Sequence, residues 1–160
     1  MRIALAADHA GFELKQFLGE DLRALGYEVL DLGSHDPQAP DDYPDFAEKV
    51  GQALLTGQAE RGILACGSGV GVCVAVNKFP GVRAGVCHDT YSARQGVEHD
   101  SMNVLCIGAR IVGEELAREI VRSFVAARFS GEDRHERRLQ KILALERRFL
   151  KERPKGAAGP

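Results

Sequence analysis

Ile63-Leu64-Ala65-Cys66-Gly67-Ser68-Gly69-Val70-Gly71 joins an apolar run to a loop with glycine at every second position, and a thiol stands at the junction. Such a run reads as a buried strand, and the glycines let the chain turn tightly into a helix with its backbone N–H groups exposed. Converging N–H groups at a helix start hold an anion, and they also favour a thiolate over a thiol. Cys66 therefore combines a fold position, the carboxyl end of a strand, with the surroundings of a reactive group.

On the N-terminal side, residues 2–7 read as another buried strand, and 11–25 carry Phe12, Leu14, Phe17, Leu18, Leu22 and Leu25 at helical spacing before a stop at Gly26. Residues 27–32 are again strand-like, 33–42 are rich in turn formers, and a helix is expected from near Pro44, with Phe46, Ala47, Val50, Ala53 and Leu54 inward. On the C-terminal side the expected order is a short helix after Gly69, a strand over 82–87, a helix over 89–98 and a strand over 104–107. Apolar runs separated by helical patterns predict a parallel sheet covered on both faces. The expected fold is thus α/β: a single-domain, doubly wound three-layer sandwich around a five-stranded parallel sheet, Rossmann-like, with an extra C-terminal helix. Two helices close the chain, 113–129 and 133–151, the second with Leu139, Ile142, Leu143, Phe149 and Leu150 along one stripe. That stripe is surplus to a core whose crossovers are already covered, and it suits either its own domain or a second subunit. The domain is placed at 1–152, and the Gly-, Ala- and Pro-rich residues 153–160 are expected to be a disordered tail.

The chain has 160 residues, 44% of them hydrophobic, which is enough for one well-filled core and too few for two ordinary domains. A net charge of −2 gives no general attraction to nucleic acid or anionic membrane, so an anionic ligand must be held by local cations. No apolar run approaches the roughly 18 residues of a membrane span. Asp8 interrupts the N-terminal run before a signal peptide could be built, so a cytoplasmic location is expected. Cys66, Cys73, Cys87 and Cys106 form no C-x-x-C pair, which argues against a zinc site and a disulfide framework alike. Cys73, Cys87 and Cys106 read as small buried hydrophobes, leaving Cys66 as the thiol with chemical surroundings.

Ligands of open parallel sheets bind outside the carboxyl ends of the strands. The residues there are Asp8 and His9, Cys66 to Gly71, His88 and Asp89, and Gly108 to Arg110. His99 and Asp100 precede the fifth strand, so strand ends alone do not place them. The first strand-to-helix turn, Ala7-Asp8-His9-Ala10-Gly11, lacks the G-x-G-x-x-G of a dinucleotide fold. No Gly-Lys-Ser/Thr exists for a triphosphate loop, and Cys66 occupies the first glycine of a hydrolase elbow. What remains for the loop is a smaller anion, a phosphate or a reaction intermediate.

Asp8-His9-Ala10-Gly11, Asp42-Tyr43-Pro44, the Cys66 loop, Ala75-Val76-Asn77-Lys78, His99-Asp100-Ser101-Met102-Asn103 and Gly108-Ala109-Arg110 resemble, in order and spacing, the ribose-5-phosphate isomerase B family. That family also contains the galactose-6-phosphate isomerase subunits, and the resemblance runs over residues 1–149. It implies an aldose–ketose isomerase acting on ribose 5-phosphate and ribulose 5-phosphate in the non-oxidative pentose phosphate pathway, without metal or organic cofactor. By the resemblance Cys66 carries the proton between C2 and C1, and the Gly67, Gly69, Val70 and Gly71 stretch cradles the enediolate. Ser68 shuttles protons between the oxygens, His99 opens the furanose ring with help from Asp8, and Tyr43 lines the sugar pocket. Arg110, Arg134 and Arg138 hold the phosphate with His9, the last two arginines standing one helical turn apart. The site of the family lies between subunits, so a homodimer, paired or not into a tetramer, is expected.

One departure is Asp100, where the family usually has Asn: it adds negative charge and loses an amide donor, so it serves either substrate hydroxyls or the orientation of His99. Some relatives use a Glu further along the loop as base, but Val72-Cys73 stands in that region here, which favours Cys66. The competing readings are a six-carbon sugar phosphate such as allose 6-phosphate or galactose 6-phosphate, a sugar-phosphate-binding regulator without turnover, and a thiol hydrolase using Cys66 and His99. Taken one at a time, Cys66 would read as an inert strand-end thiol, His9 and His99 as polar loop residues, and Arg134 and Arg138 as a solvated helix face.

Overall fold

Five strands, β1 (Arg2–Ala7), β2 (Glu28–Asp31), β3 (Arg61–Cys66), β4 (Ala84–Val86) and β5 (Val104–Gly108), form one sheet in the order β2-β1-β3-β5-β4. Every adjacent pair is parallel. The structure is a computed structural model and describes residues 1–38 and 41–151; the tail expected over 153–160 lies outside the described residues. Between the strands run α1 (Phe12–Ala24), preceded by a 3-10 turn at His9–Gly11, then α2 (Tyr43–Leu55), α3 (Val70–Val76) and α4 (Thr90–Asp100). α5 (Glu114–Ala126) and α6 (Asp133–Lys151) follow β5. The chain forms two compact units, the sheet-bearing one over Met1–Phe129 and a second that begins at Ser130 and contains α6.

Strand periodicity divides the core in two. Ile3, Leu5, Ala7, Ile63, Ala65, Leu105 and Ile107 face one cluster with Leu14, Leu18, Leu22, Ile120 and Phe124 from α1 and α5. Ala4, Ala6, Leu64, Cys66, Val104 and Cys106 face the other with Phe46, Ala47, Val50, Val72 and Val76 from α2 and α3. Burial on both faces explains why the central strands are continuous apolar runs, and each fully buried Leu, Ile or Phe contributes about 1.5–3 kcal/mol. Among the described residues, no helix is long and apolar enough to cross a membrane.

The chain runs outward from β1 to β2, then returns past β1 to β3, so the order reverses between β1 and β3 and a crevice opens at their carboxyl ends. The register Ala7↔Ala65 places the next residues, Asp8 and Cys66, side by side at that reversal. An ion pair braces the neighbouring edge: the Lys15 ammonium, 1% exposed, bonds both oxygens of Asp31 at 2.7 and 2.8 Å. Asp31 also accepts from the Gly33 amide at 3.0 Å. Gly33 O in turn accepts from Ala7 N at 2.7 Å, and Ser34 N donates to Ala7 O at 2.6 Å, so the brace ends one residue before Asp8. Burial opposes ionisation of Asp31, but the Lys15 and Gly33 hydrogen bonds outweigh it and hold the carboxyl below its usual range.

Three elements differ from expectation by two residues or more, and one of them, α5, ends at Ala126 instead of 129 because Ala127 is extended. The fourth strand is confined to Ala84–Val86, because Arg83 N is taken by the Asn103 side chain at 2.8 Å and Val82 N by Phe79 O at 3.2 Å. α4 runs on to Asp100 and is closed by Ser101 in the left-handed region at φ 52°. Within the second unit, the Ser130 hydroxyl meets His135 Nδ1 at 2.6 Å, and Arg134 Nε donates to Glu132 at 2.8 Å.

Candidate active site

A cleft of about 440 Å³ opens at the carboxyl ends of β1, β3 and β5, lined by Asp8, His9, Tyr43, Cys66, Gly67, Ser68, Gly71, Arg110 and Ile111 among others. Cys66, 5% exposed, ends β3, and its Sγ accepts the Gly69 amide at 3.1 Å. Gly69 reaches that position at φ +80°, and a Cβ there would lie 3.0 Å from the backbone of Ile107. The Val70 amide is taken by Ser68 Oγ at 3.3 Å. In this loop, then, two of the N–H groups expected to face an anion instead hold the thiol and the hydroxyl.

The carbonyls of Cys66 and Gly67 accept from Ala109 N at 2.8 Å and Arg110 N at 3.0 Å, which straps the loop to the turn after β5. The Arg110 side chain consequently lies along Gly67, 3.6 Å from where a Cβ would stand. Tyr43, at the start of α2, lays its ring on Gly71: a Cβ there would meet the ring at 2.9 Å. Close approach, not backbone freedom, is what Gly71 supplies.

Asp8 is buried and caps the 3-10 turn, its Oδ1 accepting from Gly11 N at 3.0 Å. Burial raises its carboxyl above the usual range, against the lowering effect of the Gly11 bond and the His9 charge. His9 Nδ1 lies 2.6 Å from Asp41 Oδ1, and this hydrogen bond raises the imidazole above its usual value, opposed by Arg110. The cleft thus brings the His9 imidazole and the Arg110 guanidinium into one lining with the Cys66 thiol and the Ser68 hydroxyl.

His99 and Asp100 are not in this lining; they form the last turn of α4, where His99 Nδ1 pairs with Gln95 Nε2 at 3.0 Å. α4 starts beside the cleft, since His88 Nε2 accepts from Gly108 N at 3.0 Å, and then runs 11 residues away from it. At 1.5 Å per residue that is about 16 Å. Arg134 and Arg138 belong to α6 in the second unit. Two residues escaped the sequence reading. Asp41 sits in a turn-rich segment where a carboxylate is unremarked, and only its distance to His9 identifies it. Cys73 is not the inert hydrophobe expected: it is half-buried, and hydrogen bonds from Cys106 first and Asn77 next lower its thiol to about 7 despite burial. Cys87 behaves as expected, pushed up to about 11 by burial, and Cys106 is fully buried. Among the described residues, no group of His, Cys, Asp and Glu is placed to hold a metal ion.

Residues 3–142 match the family model described as Ribose/Galactose Isomerase. Over 147 residues the chain is 43% identical to ribose-5-phosphate isomerase B of Escherichia coli (strain K12), covering 92% of this chain and 97% of that one. It is 41% identical over 132 residues to D-erythrulose-4-phosphate isomerase of Pectobacterium atrosepticum, covering 82% and 86%. The crystal structure of ribose-5-phosphate isomerase B from Mycoplasma genitalium with bound ribulose-5-phosphate superposes with a TM-score of 0.86 at 41% identity, covering 91% of this chain and 96% of that one. A thiol beside His9 and Arg110 at the reversal point of a parallel sheet, together with these matches over nearly the whole chain, makes it a member of the Ribose/Galactose Isomerase family and a sugar-phosphate isomerase.

Proposed function

We propose that this chain interconverts D-ribose 5-phosphate and D-ribulose 5-phosphate. The observation that carries the reading is the one cleft that the Cys66 thiol, the Ser68 hydroxyl and the buried Asp8 share with His9 and Arg110. Cys66 removes the proton from C2 as a thiolate and returns it to C1 as a thiol, so the base is regenerated each turnover. The enediolate oxygen is stabilised by amides of the Gly67–Gly71 loop that are not already held by Cys66 and Ser68. Ser68 moves a proton between O1 and O2, Asp8 assists at the anomeric hydroxyl, and Tyr43 bounds the sugar. Arg110 and His9 take the phosphate, and Arg134 and Arg138, one helical turn apart, are the further phosphate candidates that the family resemblance implies. No step in this sequence calls for a metal or an organic cofactor.

His99, the ring-opening acid in this reading, lies in the last turn of α4 and is not among the residues that line the Cys66 cleft of its own chain. We infer that a second copy of the chain delivers His99, with Asp100 beside it, and that the enzyme works as a homodimer with shared sites. Exposed apolar side chains flank the cleft where that copy would seat: Ile111 at 59%, and Val70 and Val74 along α3 at 54% and 57%.

The test is turnover of ribose 5-phosphate by the pure protein in the presence of a chelator, with ketose formation followed directly. The pentose reading expects kcat/KM for ribose 5-phosphate to exceed that for allose 6-phosphate, galactose 6-phosphate and D-erythrulose 4-phosphate. No interconversion of any of these sugars, read as ketose from the aldose phosphates and as aldose from D-erythrulose 4-phosphate, would overturn the function. A preference for the four-carbon sugar is the second reading, which the 41% identity to the erythrulose-phosphate enzyme favours.

A further inference from the structure

We propose that Asp41 is a positioning residue that holds His9 as a fixed, charged hydrogen-bond donor for the phosphate of the substrate, an inference that rests on the sugar-phosphate reading above. The Asp41 side chain is 9% exposed although it sits just before α2 in a turn-rich segment, and its Oδ1 approaches His9 Nδ1 to 2.6 Å. A carboxylate oxygen only accepts, so the proton of this bond is on Nδ1, and Nε2 is the nitrogen left for a ligand. Asp41 Oδ2 is buried and has no hydrogen-bond partner among the described residues. A carboxylate withdrawn from water in this way gains most when its one partner carries positive charge.

The groups around His9 come from every side of the cleft. Asp8 adjoins it in the chain, Arg110 reaches over from the turn after β5, and Glu13 of α1 and Glu114 of α5 line the hollow of about 280 Å³ that shares His9. Among the groups acting on its proton, Arg110 drives His9 toward the neutral form, while Asp8 and Asp41 oppose it, with the Asp41 hydrogen bond the largest effect. A phosphate dianion is best met by two cations at once, and Arg110 alone would suppress the second. Asp41 is the residue that permits both charges to coexist. Its chemistry also fixes the imidazole by a bond the substrate does not have to make.

The experiment compares the full-length wild-type protein with Asp41→Asn and His9→Gln. Inorganic phosphate is the probe ligand, its dissociation constant is measured at pH 6 and pH 7.5, and the His9 ring is titrated by NMR. Expected for Asp41→Asn is a His9 titration midpoint moved to lower pH. Phosphate binding should be weakened relative to wild type by about tenfold at pH 7.5 and by much less at pH 6. KM for ribose 5-phosphate follows the same pH pattern while kcat moves less than KM. An unchanged His9 midpoint, or a loss equal at both pH values, would reduce Asp41 to a structural part and overturn the inference. His9→Gln separates the two levels. If it weakens phosphate and Asp41→Asn does not, the Asp41 inference alone fails. If it binds phosphate as wild type does, the phosphate role of His9 fails and takes this inference with it.

Discussion

Gly108→Ala tests whether the position of the glycine loop governs turnover. Gly108 ends β5, and a Cβ built on it would lie 2.8 Å from the backbone carbon and oxygen of Ser68 and 2.7 Å from Ile111 Cγ1. Ile111 is 59% exposed and can rotate away. The Ser68 peptide has no such freedom, because the carbonyls just before it are tied to Ala109 and Arg110. Ordinary contact begins near 3.4 Å, so the loop must retreat by about 0.6 Å. Overpacking of this kind costs about 1–3 kcal/mol. A displacement of 1 Å at a reacting centre costs on the order of 100-fold in rate, so roughly tenfold is expected here. Urea unfolding reads the first quantity and steady-state kcat on ribose 5-phosphate the second. Gly113→Ala is the control: a Cβ there meets nothing within 4 Å, and unfolding should change by less than about 1 kcal/mol. A Gly108→Ala enzyme that is destabilised but turns over at the wild-type rate would refute the link between loop position and chemistry. One that is unchanged in both would refute the packing argument itself.

Lys15→Met removes the partner of Asp31, and because Asp31 is 24% exposed the loss should be about 2–4 kcal/mol at pH 7, below the upper range for a fully buried pair. Asp31 is held below its usual range, so its contribution is complete above about pH 3.9 and disappears as the pH falls through its lowered value. The gap between wild type and variant should therefore narrow at pH 3, and an equal gap at pH 3 and pH 7 would contradict the ion-pair account. Mixing Cys66→Ala with His99→Ala chains tests the shared site. If His99 acts across the interface, a mixed dimer holds one site with both groups intact, and activity returns on mixing. Mixed dimers that form and stay inactive would place both groups in one chain.

The alternation of apolar strands and amphipathic helices was readable because parallel strands buried on both faces leave little room for polar residues. Residues 2–7 were bounded correctly for this reason, and 62–66 to within one residue of Arg61–Cys66. The short fourth strand was not, since its limit is set by Asn103, a side chain 20 residues away that takes the Arg83 amide. Asp8, His9, Cys66, Ser68, Tyr43 and Arg110 could be gathered from strand ends and motif spacing, and the cleft brings these six together. Asp41 could not, because nothing in a run of turn formers marks one carboxylate as the one that folds back on an imidazole 32 residues earlier. Cys73 was misjudged for a related reason: its polarity comes from Asn77 and Cys106, the second contributed by a different strand.

By itself the sequence determined the layer architecture, the thiol at the end of β3 and the family, since periodicity and motif spacing are local properties of a chain. Tertiary structure alone decided which N–H groups are spent on Cys66 and Ser68, which carboxylate pairs with His9, and that His99 stays out of the lining of its own chain's cleft. Those are distances between residues far apart in sequence, and they depend on how strands pair and where helices end, which no local pattern encodes.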